Sequence, residues 1–262
     1  TALTRIQLPK NLTYLGPKAF MNCTGLSGNL VIPDGVSVIH EGTFEGCTSL
    51  DGKLTLPASL KEIDEHAFYG CSFSGTLDFP SGLELIGRQA FQLENSLGLT
   101  GPLALPLNIT CIKELAFLNC RFQGDLVIPD QLSTYDGAFY LTTFTGQLKL
   151  PSNTTQIPSG AFEFAHFEGD ITLPNNVTVI NDWAFNGCTI TGRWTLPHSL
   201  KEIKDSAFLN TNLVDVWYLG TAREWSQIKI GENNGPLTTA TIHFSDGTTN
   251  KDPANTDNAA KT

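Results

Sequence analysis

The amino-acid sequence predicts an α/β repeat solenoid in which about nine units wind around one continuous core. Two residue types mark the repeat: a proline returns every 22 to 26 residues, and a phenylalanine follows each proline after ten or eleven residues. The prolines are Pro9, Pro33, Pro57, Pro80, Pro106, Pro129, Pro151, Pro174 and Pro197, and the phenylalanines are Phe20, Phe44, Phe68, Phe91, Phe117, Phe139, Phe162, Phe185 and Phe208. A pattern that keeps its phase nine times is typical of stacked structural repeats.

Each unit also has apolar side chains at fixed positions around its proline. Leu54 and Leu56 precede Pro57 with the period of two that predicts a short strand with one buried face, which the proline then ends. An apolar pair three and six residues after the proline predicts a second stretch held against the core. An alanine precedes the phenylalanine in eight of nine copies, and this segment predicts a helical or 3-10 turn with the phenyl ring inside.

The complete motif, L-P-x-x-L-x-x-I-x-x-x-A-F-x-x-C over residues 56–71, resembles the BspA-like leucine-rich repeat. The resemblance covers residues 1 to about 215. It implies a leucine-rich-repeat solenoid, expected as a curved right-handed coil with a parallel β-sheet on its concave face. It also implies a secreted or cell-surface bacterial protein that binds other proteins or acts in adhesion, without catalysis. Binding residues follow no shared motif in this family, so none is transferred by position.

The sequence predicts three regions. Residues 1–215 form the solenoid, residues 216–244 form a C-terminal cap, and residues 245–262 form a polar, flexible tail. Within the cap we expect a last strand at 212–219 and a closing strand at 239–244. Between them we expect a short helix with Thr221 as its N-cap and Glu224 in the capping box. An insertion after Phe91 predicts an edge loop at residues 92–98. The chain opens inside the repeat pattern, so an export signal is expected to precede it.

The composition argues against several kinds of partner and chemistry. The chain has a net charge of −10, whereas binding to nucleic acids or anionic membranes requires clusters of basic residues. No apolar run reaches the ~18 residues of a membrane span. The sequence also lacks spacings typical of zinc sites, phosphate loops or serine nucleophile elbows. We therefore expect no enzyme activity, no cofactor, no metal and a monomeric chain.

Five cysteines follow the repeat phenylalanine by three residues, which predicts a buried column of free thiols rather than a reactive site. They are Cys23, Cys47, Cys71, Cys120 and Cys188. A disulfide between neighbouring members remains open. Cys111 lies outside the column and is expected to be the most accessible thiol.

The candidate binding surface is the outward side of the strands, four and two residues before each proline. Its polar residues are Arg5, Gln7, Asn29, Lys53, Thr55, Thr76, Asp78, Asp125, Gln147, Lys149, Asp170, Thr172, Arg193 and Thr195. With strands about 4.8 Å apart, nine units and a cap strand predict a face roughly 45 Å long. Its mixed charge and the absence of an aromatic row favour a protein ligand over a sugar or single-stranded nucleic acid. The alternative is a structural spacer that displays other domains.

Overall fold

A computed structural model describes residues 4–94 and 98–252 of the chain. It confirms the predicted solenoid of stacked coils. We number the coils 1 to 9 by their repeat phenylalanines, from Phe20 to Phe208. Neighbouring phenylalanines of this column have ring centroids 5.2 to 6.0 Å apart along all nine coils. Eight of the nine rings are buried, and Phe20 at the first coil is half-buried. One continuous interior therefore joins every coil.

The strands before the prolines of coils 2 to 9 form the first ladder, which two later strands, β20 and β22, continue. Its members are β1 (Leu30–Val31), β3 (Leu54–Thr55), β5 (Gly75–Asp78), β7 (Leu99–Ala104), β10 (Leu126–Val127), β12 (Leu148–Lys149), β15 (Ile171–Thr172), β18 (Trp194–Leu196), β20 (Asp215–Tyr218) and β22 (Thr241–His243). All pairs are parallel, in the orders β1–β3, β5–β7 and β10–β12–β15–β18–β20–β22. The face predicted as one sheet is thus hydrogen-bonded in three segments among the described residues. Pro102 in β7 has no N–H to donate, and the β5–β7 register shifts between Gly75 and Leu77, which accounts for the irregular middle segment.

Two further ladders, which the sequence pattern does not predict as strands, stack beside the first. The second contains β2 (Val38–Ile39), β4 (Glu62–Ile63), β6 (Leu85–Ile86), β8 (Cys111–Ile112), β13 (Gln156–Ile157), β16 (Val179–Ile180), β19 (Glu202–Ile203) and β21 (Lys229–Ile230). The third contains β9 (Arg121–Phe122), β11 (Thr143–Phe144), β14 (His166–Phe167) and β17 (Thr189–Ile190). Because coils stack in register, equivalent extended stretches such as Ile39 and Ile63 pair directly. Each ladder is parallel and adds backbone hydrogen bonds between neighbouring coils.

The segment around the repeat phenylalanine is a series of hydrogen-bonded turns, so the predicted helical or 3-10 turn was wrong. The residue two before each phenylalanine has a positive φ in all nine coils, as at Gly42 and Trp183. Alternate N–H groups point along the solenoid instead of along the turn: Phe44 N–H donates to the carbonyl of Ala67 at 2.9 Å. A left-handed residue reverses the direction of successive peptides, which a helix does not allow. Within the described residues, both helices, α1 (Ala222–Trp225) and α2 (Gly235–Thr239), lie after the repeats.

The region after coil 9 covers the last layer of the core. Thr221 and Glu224 form the predicted capping box of α1, and β22 adds a strand to the first ladder beside β20. The polar segment that follows also packs on the cap: Asn250 Oδ1 accepts the N–H of Ile242 at 2.9 Å. Residues 245–252 are therefore hydrogen-bonded to the cap, although a flexible tail was expected there; residues 253–262 lie outside the described residues. The predicted loop at 92–98 lies partly outside them too, and its Leu93 is buried.

Candidate functional site

The outward side chains of the first ladder form a surface that we call the strand face. The structure places every predicted residue of this set outward. Exposed members are Arg5, Gln7, Asn29, Lys53, Thr55, Asp78, Gln147, Lys149, Asp170, Thr172 and Arg193, and half-buried members are Thr76, Asp125 and Thr195. Arg5 and Gln7 precede β1 in the first coil, where the chain has no assigned strand. The outward orientation of these side chains is the one that the sequence predicts. Their role in binding stays a prediction.

Several of these side chains stabilise the sheet itself. Asn29 Oδ1 accepts the backbone N–H of Lys53 at 2.8 Å, and Asp125 Oδ1 accepts that of Gln147 at the same distance. Asp170 Oδ1 accepts the N–H of Arg193 at 2.7 Å. In each case a side-chain oxygen of one coil accepts a backbone N–H of the next coil, as a backbone carbonyl does within the strands. These residues are fixed in position and have only part of their hydrogen-bonding capacity left for a ligand.

Two pairs of opposite charges on the strand face are in contact. Lys53 and Asp78 approach to 3.2 Å, and Lys149 Nζ lies 2.5 Å from Asp125. The Lys149 ammonium and the N–H of Gln147 hold the pKa of the Asp125 carboxyl below its usual value. Such exposed pairs contribute little to stability, about 0–1 kcal/mol each. Their effect is to leave the middle of the face with mixed but locally balanced charge.

The C-terminal end of the strand face carries an aromatic cluster that the sequence reasoning missed. The parallel register places Thr195 beside Trp217 and Trp217 beside His243. The Trp217 and His243 rings stack at 4.6 Å with planes 8° apart, and the guanidinium carbon of Arg193 lies 4.1 Å from the Trp217 centroid. His243 Nε2 also lies 2.7 Å from Asp215 Oδ1. The repeat positions have no aromatic row, as the sequence indicates, but the two cap strands add these two rings to the end of the face.

The signal for this cluster was present in the sequence. The sequence predicts strands at 212–219 and 239–244. If alternate residues of these strands are taken to point outward, as in the repeats, Trp217 and His243 fall on the strand face. The spacing from Thr195 to Trp217 is 22 residues, but that from Trp217 to His243 is 26, because α1 and α2 intervene. The register in the cap follows from three-dimensional pairing rather than from the repeat period.

A groove beside the cap brings together residue types that could suggest hydrolysis. It has a volume of about 530 Å³ and is lined by His198, Ser199 and Glu224, among others. The Ser199 hydroxyl donates to the carbonyl of Val177 at 2.6 Å. The Glu224 carboxylate accepts both the N–H and the hydroxyl of Thr221. These groups are thus used in backbone and capping contacts, and their arrangement does not form a nucleophile–base pair.

Four of the five cysteines of the column are buried as predicted. Cys47, Cys71, Cys120 and Cys188 are buried free thiols, whereas Cys23 and Cys111 are half-buried. Three of the column's thiols donate to the carbonyl of the preceding coil's phenylalanine, as Cys47 does to Phe20 at 3.0 Å. Burial raises the pKa of Cys47 to about 11, which keeps this thiol protonated at neutral pH. The buried thiols of the column therefore belong to the core and do not form a reactive site.

The described residues hold no cluster of three or more histidine, cysteine, aspartate or glutamate side chains arranged to bind a metal ion. In the same part of the chain, none of the helices has the length and apolar character needed to span a bilayer.

Stacked coils, parallel two-residue strands and a repeating phenylalanine column define a β-solenoid of leucine-rich repeats. The sequence matches the BspA type Leucine rich repeat region in six copies, over residues 1–121 and 110–227. Since these matches extend over most of the sequence, the chain belongs to the BspA-type leucine-rich repeat family. Its members are repeat proteins, and leucine-rich repeat domains generally mediate protein interactions.

Two solved structures are similar to this chain. One is a leucine-rich repeat protein from Bacteroides ovatus ATCC 8483, with a TM-score of 0.55 and 19% identity, covering 92% of this chain and 63% of that one. The other is a leucine rich cell surface protein from Faecalibacterium prausnitzii A2-165, with a TM-score of 0.48 and 23% identity, covering 87% of this chain and 76% of that one. No curated protein matches the sequence. At these identities the structural likeness concerns the fold.

Proposed function

We propose that this chain is a non-catalytic protein-binding module of a secreted or cell-surface bacterial protein, and that it binds its ligand on the strand face. The family supports the general role, since leucine-rich repeat domains generally mediate protein interactions. The extracellular location and a role in adhesion are parts of the proposal that follow from the family resemblance.

The observation that carries the proposal is the cluster of Arg193, Trp217 and His243 at the C-terminal end of the strand face. Tryptophan and arginine are enriched among the residues that dominate binding energy at protein interfaces. Here the stacked rings fix the Arg193 guanidinium, so little side-chain entropy is lost when a ligand binds. The cluster lies on the longest continuous sheet, β10 to β22, which provides a rigid platform.

Binding to immobilised extracellular-matrix and mucosal proteins tests this proposal. We expect saturable binding of the wild-type chain to at least one of them. The double variant Arg193→Glu/Trp217→Ala should weaken that binding at least about tenfold, because it removes the proposed anchors. The matched control is Lys201→Glu, an exposed charge reversal outside the strand face, which should bind like the wild type. The strand-face proposal fails if no protein of the panel binds, or if both variants bind equally well.

The paired charges favour a second candidate, a structural spacer. Lys53–Asp78 and Lys149–Asp125 satisfy each other across neighbouring coils, as expected of a surface that needs no ligand. Separate reversals of Lys53 and Asp78 distinguish the two functions. A binding face would lose affinity in at least one variant, whereas a spacer would show no specific ligand and only a small change in stability. Large domains flanking this segment in the complete protein would also favour the spacer.

A further inference from the structure

A second exposed surface lies on the side of the solenoid formed by the turns around the repeat phenylalanines, which we call the turn face. In coils 6 to 8 it carries large apolar side chains: Leu141 is 45% exposed, Phe164 is 37% exposed and Trp183 is 52% exposed. Tyr140 joins them, its ring packing edge-on against that of Phe164 at 5.5 Å. We call these four residues the turn-face patch. It is separate from the strand face and takes no part in the proposed function above.

Three members of the patch have a backbone conformation that disfavours large side chains. Leu141, Phe164 and Trp183 have φ values of 52°, 53° and 56°. The equivalents of Leu141 and Phe164, two residues after the repeat phenylalanine, are glycine or asparagine in every other coil except the fourth, which has Leu93. Glycine and asparagine tolerate the left-handed region best. The equivalents of Trp183, two residues before that phenylalanine, are more varied: Lys18, Gly42, His66, Gln89, Leu115, Gly137, Gly160 and Ser206. Both the backbone and the exposure to water would thus favour small or polar residues where this chain has leucine, phenylalanine and tryptophan. Such positions are often associated with function rather than stability.

Phe164 is also held in place on the surface. A Cβ atom added to Gly187 in the next coil would overlap the Phe164 ring, so the ring lies directly over the bare glycine backbone. With Tyr140 against its other side, the ring is fixed before any partner arrives. A preorganised apolar anchor loses little entropy on binding.

The charges around the patch indicate the chemistry of its partner. In coils 2 to 5 three turn-face carboxylates contact a lysine or arginine of the chain: Glu41 pairs with Lys18, while Glu65 and Glu114 both approach Arg88. In coils 6 to 9 the equivalent surface carries carboxylates that have no ion pair with a lysine or arginine in the part of the chain that the structure describes. They are Asp136, Glu163, Asp182 and Asp205. A cationic partner would supply the missing counter-charge.

We propose that the turn-face patch docks a basic, amphipathic polypeptide segment of another protein. Its apolar side chains cover Leu141 and Phe164, and a lysine or arginine stacks on Trp183. Its remaining basic side chains meet the carboxylates of coils 6 to 9. A second copy of this chain is disfavoured as the occupant, because each copy carries a net charge of −10.

Fluorescence anisotropy with three labelled synthetic peptides tests the proposal. The first is a 16-residue peptide of alternating arginine and leucine pairs, the second replaces its arginines with glutamate, and the third replaces its leucines with serine. We expect the first to bind at least tenfold more tightly than either control. Its affinity should fall as salt is raised, because exposed charges are screened.

Variants that replace the exposed apolar side chains make the test specific to the patch. The triple variant Leu141→Asn/Phe164→Asn/Trp183→Asn should lose at least tenfold in affinity for the first peptide. Its Tm should equal or exceed that of the wild type, because asparagine suits the left-handed backbone. The control variant Trp217→Ala, on the strand face, should bind the peptide normally. This separates the proposal from that of the strand face.

Four results would overturn the proposal. The first is equal binding of all three peptides, and the second is a triple variant that binds the first peptide like the wild type. The third is wild-type self-association that the triple variant abolishes, which would assign the patch to a second copy of this chain. The fourth is a lower Tm of the triple variant, which would show that the three side chains serve stability instead.

Discussion

At the scale of single residues, Asn234 ends the hydrogen-bond ladder of the turn face. In coils 1 to 4 and 6 to 8, the phenylalanine N–H donates to a carbonyl of the following coil, as Phe185 does to Ala207 at 2.9 Å. Phe208 has no following coil, and its N–H donates instead to Asn234 Oδ1 at 2.9 Å. Asn234 is buried, and its amide donates in turn to the carbonyl of Lys204. The carboxamide of Asn234 thus makes the hydrogen bonds that a further coil would otherwise make at the end of the solenoid.

Replacing Asn234 with leucine should lower the free energy of unfolding by about 1–3 kcal/mol, because the N–H of Phe208 and the carbonyl of Lys204 lose their partners away from water. Urea denaturation followed by circular dichroism measures the change. Asn176→Leu is the matched control. Asn176 is exposed and donates one hydrogen bond, to the carbonyl of Ser152, so its loss should cost no more than about 0.5 kcal/mol. Equal effects of the two variants would contradict the capping role of Asn234.

At the scale of elements, the phenylalanine column joins the coils more strongly than any one strand does. The strands are mostly two residues long and add few hydrogen bonds each. The repeat phenylalanines of coils 2 to 9, by contrast, are almost completely buried and stack on both neighbours wherever a neighbour exists. Phe117, in coil 5, packs against Phe91 and Phe139 and edge-on against Phe122.

Phe117→Ala should destabilise the chain by about 3–5 kcal/mol, since it removes a buried ring and leaves a cavity between two coils. Phe20→Ala makes the same chemical change in the first coil, where the ring is half-buried and stacks on Phe44 alone. Its cost should be clearly smaller. Thermal and urea unfolding of both variants provide the comparison. If Phe20→Ala were as harmful as Phe117→Ala, the stacked column would not be the source of the stability.

At the scale of the whole molecule, the sequence predicts the features that every coil repeats, and it does not predict the features that only some coils have. The proline and phenylalanine columns predict the stacked core because every coil repeats them. Strands such as Val38–Ile39 are too short to have a period of their own, and they become strands only when coils align. The left-handed turns were missed because some coils have bulky residues, such as Leu115, where glycine would have revealed them. Trp217 and His243 lie beyond the last period, so their place on the strand face depends on pairing in the cap.

One coil is the structural unit of this solenoid, and the deletion of a whole coil compared with half a coil tests this. Removing residues 148–170 joins Gln147 to Ile171, and Leu148 and Ile171 are already register partners. We expect this variant to retain the wild-type circular dichroism spectrum and cooperative unfolding, with a particle shorter by about 5 Å in X-ray scattering. Removing only residues 148–158 takes out half a coil, shifts every later column, and should abolish folding. Equal behaviour of the two deletions, whether both fold or both unfold, would show that the coil is not the structural unit.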